Sequence, residues 1–503
     1  MGKFIKTAAF AFMLVLISAL FACSRSGQDE KTAKEDINGG KSPEQNETEE
    51  KLASPVPDDL KFEGQTVRFY SYYEEGALDN DRMDVKEENT GDVVNDAIYR
   101  RNSEVKGKFG ITFEYTSCPP GSSTNYSNDL ISKSVSAGIN DYDIIIGNQY
   151  QCVQLATGNV FKNLKNLPYL DINNEWWAKQ YINDLTIGND TLMYVTGDIS
   201  LLWLLRLSTV YFNKNMYADN FGNPDDMYRL VLDGKWTMDE INKMVKAMYK
   251  DLDGDGKPGP EDQYGMIGHT YSTTDLFTYS SGVRATARDE NGLPYFIFNN
   301  EKTLRYMEKL YDIYYNGPGM MLVNVSAIPD FDDYMNNKFA ENKVLFRADV
   351  FISSEKLRGM ETDFGIIPFP KLDENEPSYK SLVHDVAPLM CLPVTCEKDE
   401  LAGAVLEEMA FRGYTDMTPA FFDIALKNKY MRDSDDRAMK CLDLIRENSV
   451  TDFAYVYNYA LNGIGLIMRD LITGKSSDFV SKYEKMETKA NNQLQKIINA
   501  YTG

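Results

Sequence analysis

Between residues 64 and 146 the chain alternates between strand and helix periodicity, and this alternation constrains the fold most. Thr66 to Tyr70 (TVRFY) is β-rich and follows Gly64. Asp92 stands as an N-cap before Val94, Ile98, Val105 and Phe109, which share one helical face, and Gly110 ends that helix. Ile111, Phe113 and Tyr115 alternate as a second strand, Asp129 to Ser136 is helical in pattern, and Tyr142 to Ile146 (YDIII) is a short apolar run. Strands alternating with helices predict an α/β fold with a parallel sheet covered on both faces, and a run such as Ile144-Ile145-Ile146 suits a strand buried on both sides. Ligands of such sheets bind beyond the carboxyl ends of the strands. Those ends are Ser71 to Tyr73 and Asn148 to Tyr150, which makes Tyr73, Asn148 and Tyr150 candidate ligand contacts.

The N-terminus carries a separate signal. A basic start (Lys3, Lys6), an apolar stretch from Ala8 to Leu20 and a small residue before Cys23 read as a signal peptide over residues 1–22. Leu20-Phe21-Ala22-Cys23 resembles the bacterial lipoprotein signal, although Phe21 is bulkier than usual. The resemblance implies that Cys23 becomes the lipid-modified first residue of a chain anchored on the extracellular face of the cell membrane. Residues 23–59 hold almost no large apolar side chains and read as a disordered tether.

The remaining chain, 60–503, is too long for one hydrophobic core and predicts two domains. No later run approaches the roughly 18 apolar residues of a membrane-spanning helix. The formal charge of -23 argues against nucleic acid and anionic membrane surfaces as partners. Besides Cys23 there are Cys118, Cys152, Cys391, Cys396 and Cys441, an odd remainder that is no disulfide framework. They read as small buried apolar residues, with room for a single disulfide.

The sharpest local motif is Asp251-Leu252-Asp253-Gly254-Asp255-Gly256-Lys257, continuing to Glu261 and Asp262. Carboxylates at alternate positions, then a glycine and a closing acid, follow the spacing of a calcium loop. The Lys257 carbonyl would supply a neutral oxygen, and Asp262 or Glu261 would close the shell. Aspartate at the closing position and Pro258 depart from the usual pattern. Carboxylates this close repel without a cation, so a structural calcium is expected. The overlapping Gly254-x-Gly256-x-x-Gly259 lacks a preceding strand and lies among carboxylates that would repel a pyrophosphate. Gly474-Lys475-Ser476 has Arg469 where a phosphate loop needs glycine. His269 and His384 are the only histidines, and neither G-x-S-x-G nor H-E-x-x-H occurs, which argues against Ser–His and zinc-hydrolase chemistry.

Several segments in order resemble one family. They are DVVNDAIYRRNSEVKGKFGITFEY (92–115), YDIIIGNQYQCVQLATGNVFKNL (142–164), DINNEWWAKQYINDLTIGNDTLMYVTGDIS (171–200), STVYFNKNMY (208–217), DGKWTMDEI (233–241) and DFGIIPFPKLDENEPSY (363–379), followed by the helical region from Asp452. Together they resemble the extracellular solute-binding proteins of ATP-driven (ABC) sugar importers, the group that includes maltose-binding protein. The resemblance implies a two-lobed periplasmic-binding-protein-like fold with a hinge and an interlobe cleft. It also implies a non-enzymatic monomer that captures a sugar or oligosaccharide and delivers it to ABC permease subunits. Relatives carry loops like 251–262 as calcium sites. On this chain the hinge crossings fall near Ser208–Phe212, Ser381–Cys391 and Glu447–Asp452. An N-lobe of 60–210 plus 388–447 and a C-lobe of 211–387 plus 450–503 follow.

Sugar rings stack on aromatic faces, while their hydroxyls need charged or amide partners. Asp198, Trp203 and Arg206 before the first crossing have that chemistry. So do Arg347 and Asp349 after the run VLF, His384 in the second crossing, and Tyr455 and Tyr457 before the last helices. Trp176 and Trp177 read as braces within a lobe, and Trp236 as packing beneath a helix start capped by Thr237. Two alternatives are an exported carbohydrate-active enzyme and a binding protein for another solute such as a peptide. The enzyme would need a close carboxylate pair of raised pKa in the cleft, which is expected to be absent.

Overall fold

The computed structural model describes residues 52–75, 82–85, 90–422 and 436–502. Cys23 and the signal peptide lie outside the described residues. Two main sheets are built from β1 (Thr66–Glu74), β2 (Thr112–Cys118), β3 (Ile144–Asn148), β4 (Ser208–Asn213), β5 (Tyr264–Gly268), β6 (Met320–Leu322), β7 (Val344–Val350), β8 (Phe364–Ile367) and β9 (Pro388–Cys391).

The first sheet has the order β9-β3-β1-β2, with β1 parallel to both neighbours and β9 antiparallel to β3. Helix Val93–Phe109 joins β1 to β2. The Asp92 carboxylate accepts from the Val94 and Asn95 amides at its start, and Gly110 ends it at a φ of 71°. β3 is buried at every position, as its unbroken apolar run requires. β1 continues past Tyr70 to Glu74, because Ser71 and Glu74 still pair with β2. Ser71 to Tyr73 are thus the last strand residues rather than the loop beyond.

The second sheet has the order β8-β4-β7-β5-β6. β4 is antiparallel to β8 and β7, whereas β5 is parallel to β7 and β6. The chain passes between the sheets where Leu207 bridges to Val383 and where Ser381–Leu382 runs parallel to Ser449–Val450. The first passage lies just before β4, since Ser208–Asn213 is already buried in the second sheet.

Three sequence expectations change. Residues 54–59, read as tether, belong to the folded body. Val56 is 1% exposed, and Lys108 Nζ donates to its carbonyl at 2.7 Å and to Glu408 at 2.8 Å. Helix Asp436–Glu447, placed by the sequence with the first lobe, packs on β8 and helix Asp225–Leu232 of the second sheet. Its apolar face (Ala438, Cys441, Leu442, Ile445) needs cover, and the edge strand β8 supplies it. The last helix, Phe479–Thr502, also reaches back to pack on Val153–Gly158, beyond the lobe boundary drawn from sequence.

Trp203 is a further correction. It sits in the fully buried helix Leu201–Leu205, is 4% exposed, and meets the Tyr181 ring edge-on at 4.9 Å. It is a core residue because all five positions of that short helix are apolar and covered. The neighbouring Asp198 is equally structural, accepting from Thr418 Oγ1 at 2.9 Å and Arg446 Nη2 at 2.8 Å. The Trp176 and Trp177 indoles both donate to the buried Glu407 carboxylate, at 3.0 and 2.9 Å. Trp236 is fully buried and donates to the Pro368 carbonyl, beside the Thr237 cap. Trp203→Ala is expected to cost about 3–5 kcal/mol of stability, as for a packed tryptophan. Urea unfolding checks this, and a loss under about 1 kcal/mol would place the ring at a surface.

Candidate ligand-binding cleft

β5 and β7 run parallel, so their carboxyl ends open on the same side of the second sheet. A cavity of about 480 Å³ lies there, against the hinge. The segment after β5 contributes His269, Tyr271 and Ser272, the end of β7 contributes Asp349, and the short helix after β7 contributes Ser353. Helix Phe331–Ala340 adds Phe331, Asp332 and Asn336, Lys356 follows from the short helix after β7, and Arg469 comes from helix Ile467–Thr473. The hinge adds Arg206, His384, Asp385 and Val386.

Local backbone chemistry shapes each wall. A Cβ on Gly268 would lie 2.7 Å from Thr273 Cγ2, so glycine permits the tight exit from β5. The His269 amide donates to Thr273 Oγ1 and the Tyr271 amide to His269 Nδ1, both at 3.2 Å. Tyr271 is thereby left 40% exposed, and the Arg469 guanidinium lies 5.7 Å from its ring centroid. A cation over one face of the ring steadies it.

The opposite wall is residues 385–387, held by the first sheet. Tyr150 N donates to the Asp385 carbonyl at 3.1 Å, Gln149 N to Ala387 at 3.0 Å, and the Tyr73 hydroxyl to Val386 at 2.6 Å. Asn148 is paired in register with Pro388. Tyr73, Asn148 and Tyr150 therefore support the wall and do not line the cavity. Tyr150 also places its ring 5.9 Å from Tyr459, which is 68% exposed.

Of the other residues chosen from sequence, Arg206, Asp349 and His384 line the cavity. Arg347 lies just behind it, fully buried, with Nε donating to Asn336 Oδ1 at 2.8 Å and Nη2 to Asp349. Tyr455 is buried, and its hydroxyl accepts from the Asp385 amide at 3.2 Å. Tyr457 is stacked on Phe453 at 4.2 Å with its hydroxyl against Tyr501, away from the lining. Asp198 and Trp203 lie in the core, as above.

The sequence reading missed Tyr271, Phe331, Asp332, Asn336, Lys356, Asp385 and Arg469. The rule that ligands gather at parallel strand ends would have found those after β5. The run YGMIG, short and broken by glycines, did not read as a strand.

Charge is interleaved along the cleft. Burial alone would raise the Asp385 carboxyl, yet His384, 3.0 Å away, with Arg469 and Arg206 holds it below its ordinary value. Burial pushes His269 down to about 4, so its ring is neutral near pH 7. Behind Arg469, burial raises Asp275 to about 6 although the guanidinium is bonded to it. Asn336 Nδ2 and Arg347 Nη1 are buried donors that have no hydrogen-bond partner among the described residues. Such donors cost stability unless an acceptor reaches them.

Asp332 and Asp349 share Arg347 Nη2, and partial burial with the Asp349 charge raises Asp332. Asp349 is fixed by the guanidinium and the Ser353 hydroxyl, and Asp332 keeps 56% of its side chain exposed. Neither is placed as a free nucleophile.

The acidic loop lies before β5, at the end of the sheet opposite the cleft. Asp251, Asp253 and Asp255 are exposed, with one carboxylate oxygen from each lying within 4.8 Å of the other two. Asp251 accepts from the Gly254 and Gly256 amides, and Lys257 N donates to Asp255 at 2.7 Å. Asp262 is turned inward, accepting from Leu252 N, Gly259 N and the Tyr249 hydroxyl, and these bonds hold its carboxyl below the usual range. Glu261 departs from the expected shell, since it faces Lys338 and Lys343 at 3.9 and 4.0 Å.

No protein-family model and no curated protein matches the chain. Solved structures do. A cyclic α-maltosyl-1,6-maltose binding protein from Arthrobacter globiformis matches with a TM-score of 0.57 and 12% identity, over 86% of this chain and 99% of that one. The maltose/maltodextrin-binding domain from Bdellovibrio bacteriovorus bound to maltotriose matches at 0.51 and 14%, over 86% and 100%. An ABC substrate-binding protein from Listeria monocytogenes in complex with cycloalternan matches at 0.51 and 9%, over 88% and 100%. All three are binding proteins rather than enzymes. At such identities the likeness is one of fold, and the chain has the two-lobed α/β fold of these solute-binding proteins.

Proposed function

We propose that this protein is the non-enzymatic solute-binding component of an ABC importer, taking a sugar or oligosaccharide in the cleft beside the hinge. The observation that carries the reading is a cavity of about 480 Å³ beside the hinge that pairs a partly exposed aromatic ring, Tyr271, with polar side chains of both signs, among them Asn336, Asp349 and Arg469. A polyhydroxylated ring offers an apolar face for the first and oxygens that both donate and accept for the second. Closure of the two sheets about the hinge would trap the ligand, and the closed monomer would dock on permease subunits. Export with lipidation at Cys23 would hold the protein on the extracellular face of the membrane. Among the described residues no helix is long and apolar enough to cross a membrane.

The loop 251–262 is proposed as a structural calcium site. Asp251, Asp253 and Asp255 would supply carboxylate oxygens, Lys257 a carbonyl, and Asp262 the inner acid. Glu261 would stay with its lysines.

A thermal-shift screen of mono- and oligosaccharides tests the ligand class. A sugar at a hundred times its Kd adds about 2.7 kcal/mol to stability. Tyr271→Ala should weaken binding by roughly 1–3 kcal/mol while leaving the ligand-free melting temperature nearly unchanged. Hydrolysis products from an oligosaccharide, lost in Asp332→Asn, would establish the enzyme reading instead.

Chelation should lower the melting temperature, with calcium restoring it better than magnesium, whose tighter octahedron suits this open loop poorly. Elemental analysis free of metal, with no calcium response, would reject the site. For the anchor, Cys23→Ala should release the protein into the medium or leave it unprocessed. A membrane-bound variant of normal mature size would refute lipidation.

A further inference from the structure

Cys152 and Cys391 are 239 residues apart in the chain, and their sulfurs lie 3.6 Å from each other. Both residues are fully buried. Cys391 ends β9, opposite Ile145 of β3. Cys152 ends the short helix Gln149–Cys152, which turns back over β3 directly after Asn148. Gly147 makes room for this return, since a Cβ there would lie 2.5 Å from the Cys152 sulfur. A disulfide has sulfurs about 2.05 Å apart, so bonding requires the two sulfurs to draw closer than they stand here.

We propose that Cys152 and Cys391 form a disulfide when the chain folds in an oxidising compartment. The S–S bond forms as both thiols lose a proton and an electron, and the electron pair goes to a disulfide donor. The donor, a thiol–disulfide oxidoreductase or oxidised glutathione, is reduced to two thiols. Exchange needs an accessible thiolate. Both thiols are fully buried, and burial raises the Cys391 thiol well above its ordinary value, so the native pair is closed to exchange. The bond is therefore made during folding, before β9 closes over the helix.

Its position gives it a consequence for the cleft. Helix Gln149–Cys152 supplies the amides that hold Asp385 and Ala387, and β9 continues directly from that wall. A bond from Cys152 to Cys391 closes this clamp covalently. The long loop it spans is the case in which a cross-link most reduces the freedom of the unfolded chain. The proposal does not depend on which solute is bound.

The test refolds the full chain in a reduced/oxidised glutathione couple and maps peptides by mass spectrometry without reduction. A linked peptide pair containing Cys152 and Cys391, short of two hydrogens, is expected. Reductant should lower the melting temperature of the refolded wild type by several degrees. It should leave a Cys152→Ser/Cys391→Ser variant unmoved. Protein folded under reducing conditions should resist alkylation at both sites until denatured. Full alkylation of Cys152 and Cys391 after oxidative refolding and denaturation would overturn the proposal, as would linkage of either to Cys118, Cys396 or Cys441.

Discussion

The cleft depends on one stretch of backbone, residues 381–387, gripped from both sides. Ser381 N bonds to the Asn448 carbonyl, Val383 N to Val450, and His384 N to Arg206, which joins the chain passages at the hinge. From the first sheet, the ends of β1 and β3 reach its other half through Tyr73, Gln149 and Tyr150. Backbone bonds to three separate regions leave this segment little freedom of its own. A pivot of that kind lets two sheet bodies rotate without unfolding either one.

The charges of the cleft follow from the same packing. Arg469 sits against Asp275, Arg347 against Asp349, and His384 against Asp385. In the two arginine pairs the guanidinium offsets a carboxylate charge that burial would otherwise penalise. The groups left over are donors, Asn336 Nδ2 and Arg347 Nη1, and one apolar ring face, Tyr271. Arg82 adds an ion pair to Glu355 at 3.1 Å, joining the segment after β1 to the short helix after β7.

Much of the first sheet was legible residue by residue. Asp92, Gly110 and the triple isoleucine act locally, through a cap, a left-handed residue and a fully buried strand, and their structure matches the pattern. Trp176, Trp177 and Trp236 were readable as packing because each adjoins a recognisable helix or turn. The candidate site was legible only in part. Arg206, Asp349 and His384 adjoin hinge or strand-end positions that sequence order can locate. Tyr271, Phe331 with Asn336, and Arg469 come from three elements that meet only in the tertiary structure.

Trp203 shows where sequence reasoning stops. Its neighbours Asp198 and Arg206 suggested a binding trio, yet Asp198 pairs with Arg446, some 248 positions away, and the indole turns to Tyr181. The sequence by itself determined the elements, their α/β alternation, and the acidic loop whose carboxylates all lie within twelve residues. Tertiary structure alone decided which side chains face the cleft, that helix Asp436–Glu447 belongs on β8, and that Cys152 meets Cys391. Local propensity acts over one or two turns of chain, whereas burial and pairing are settled by contacts between segments hundreds of residues apart.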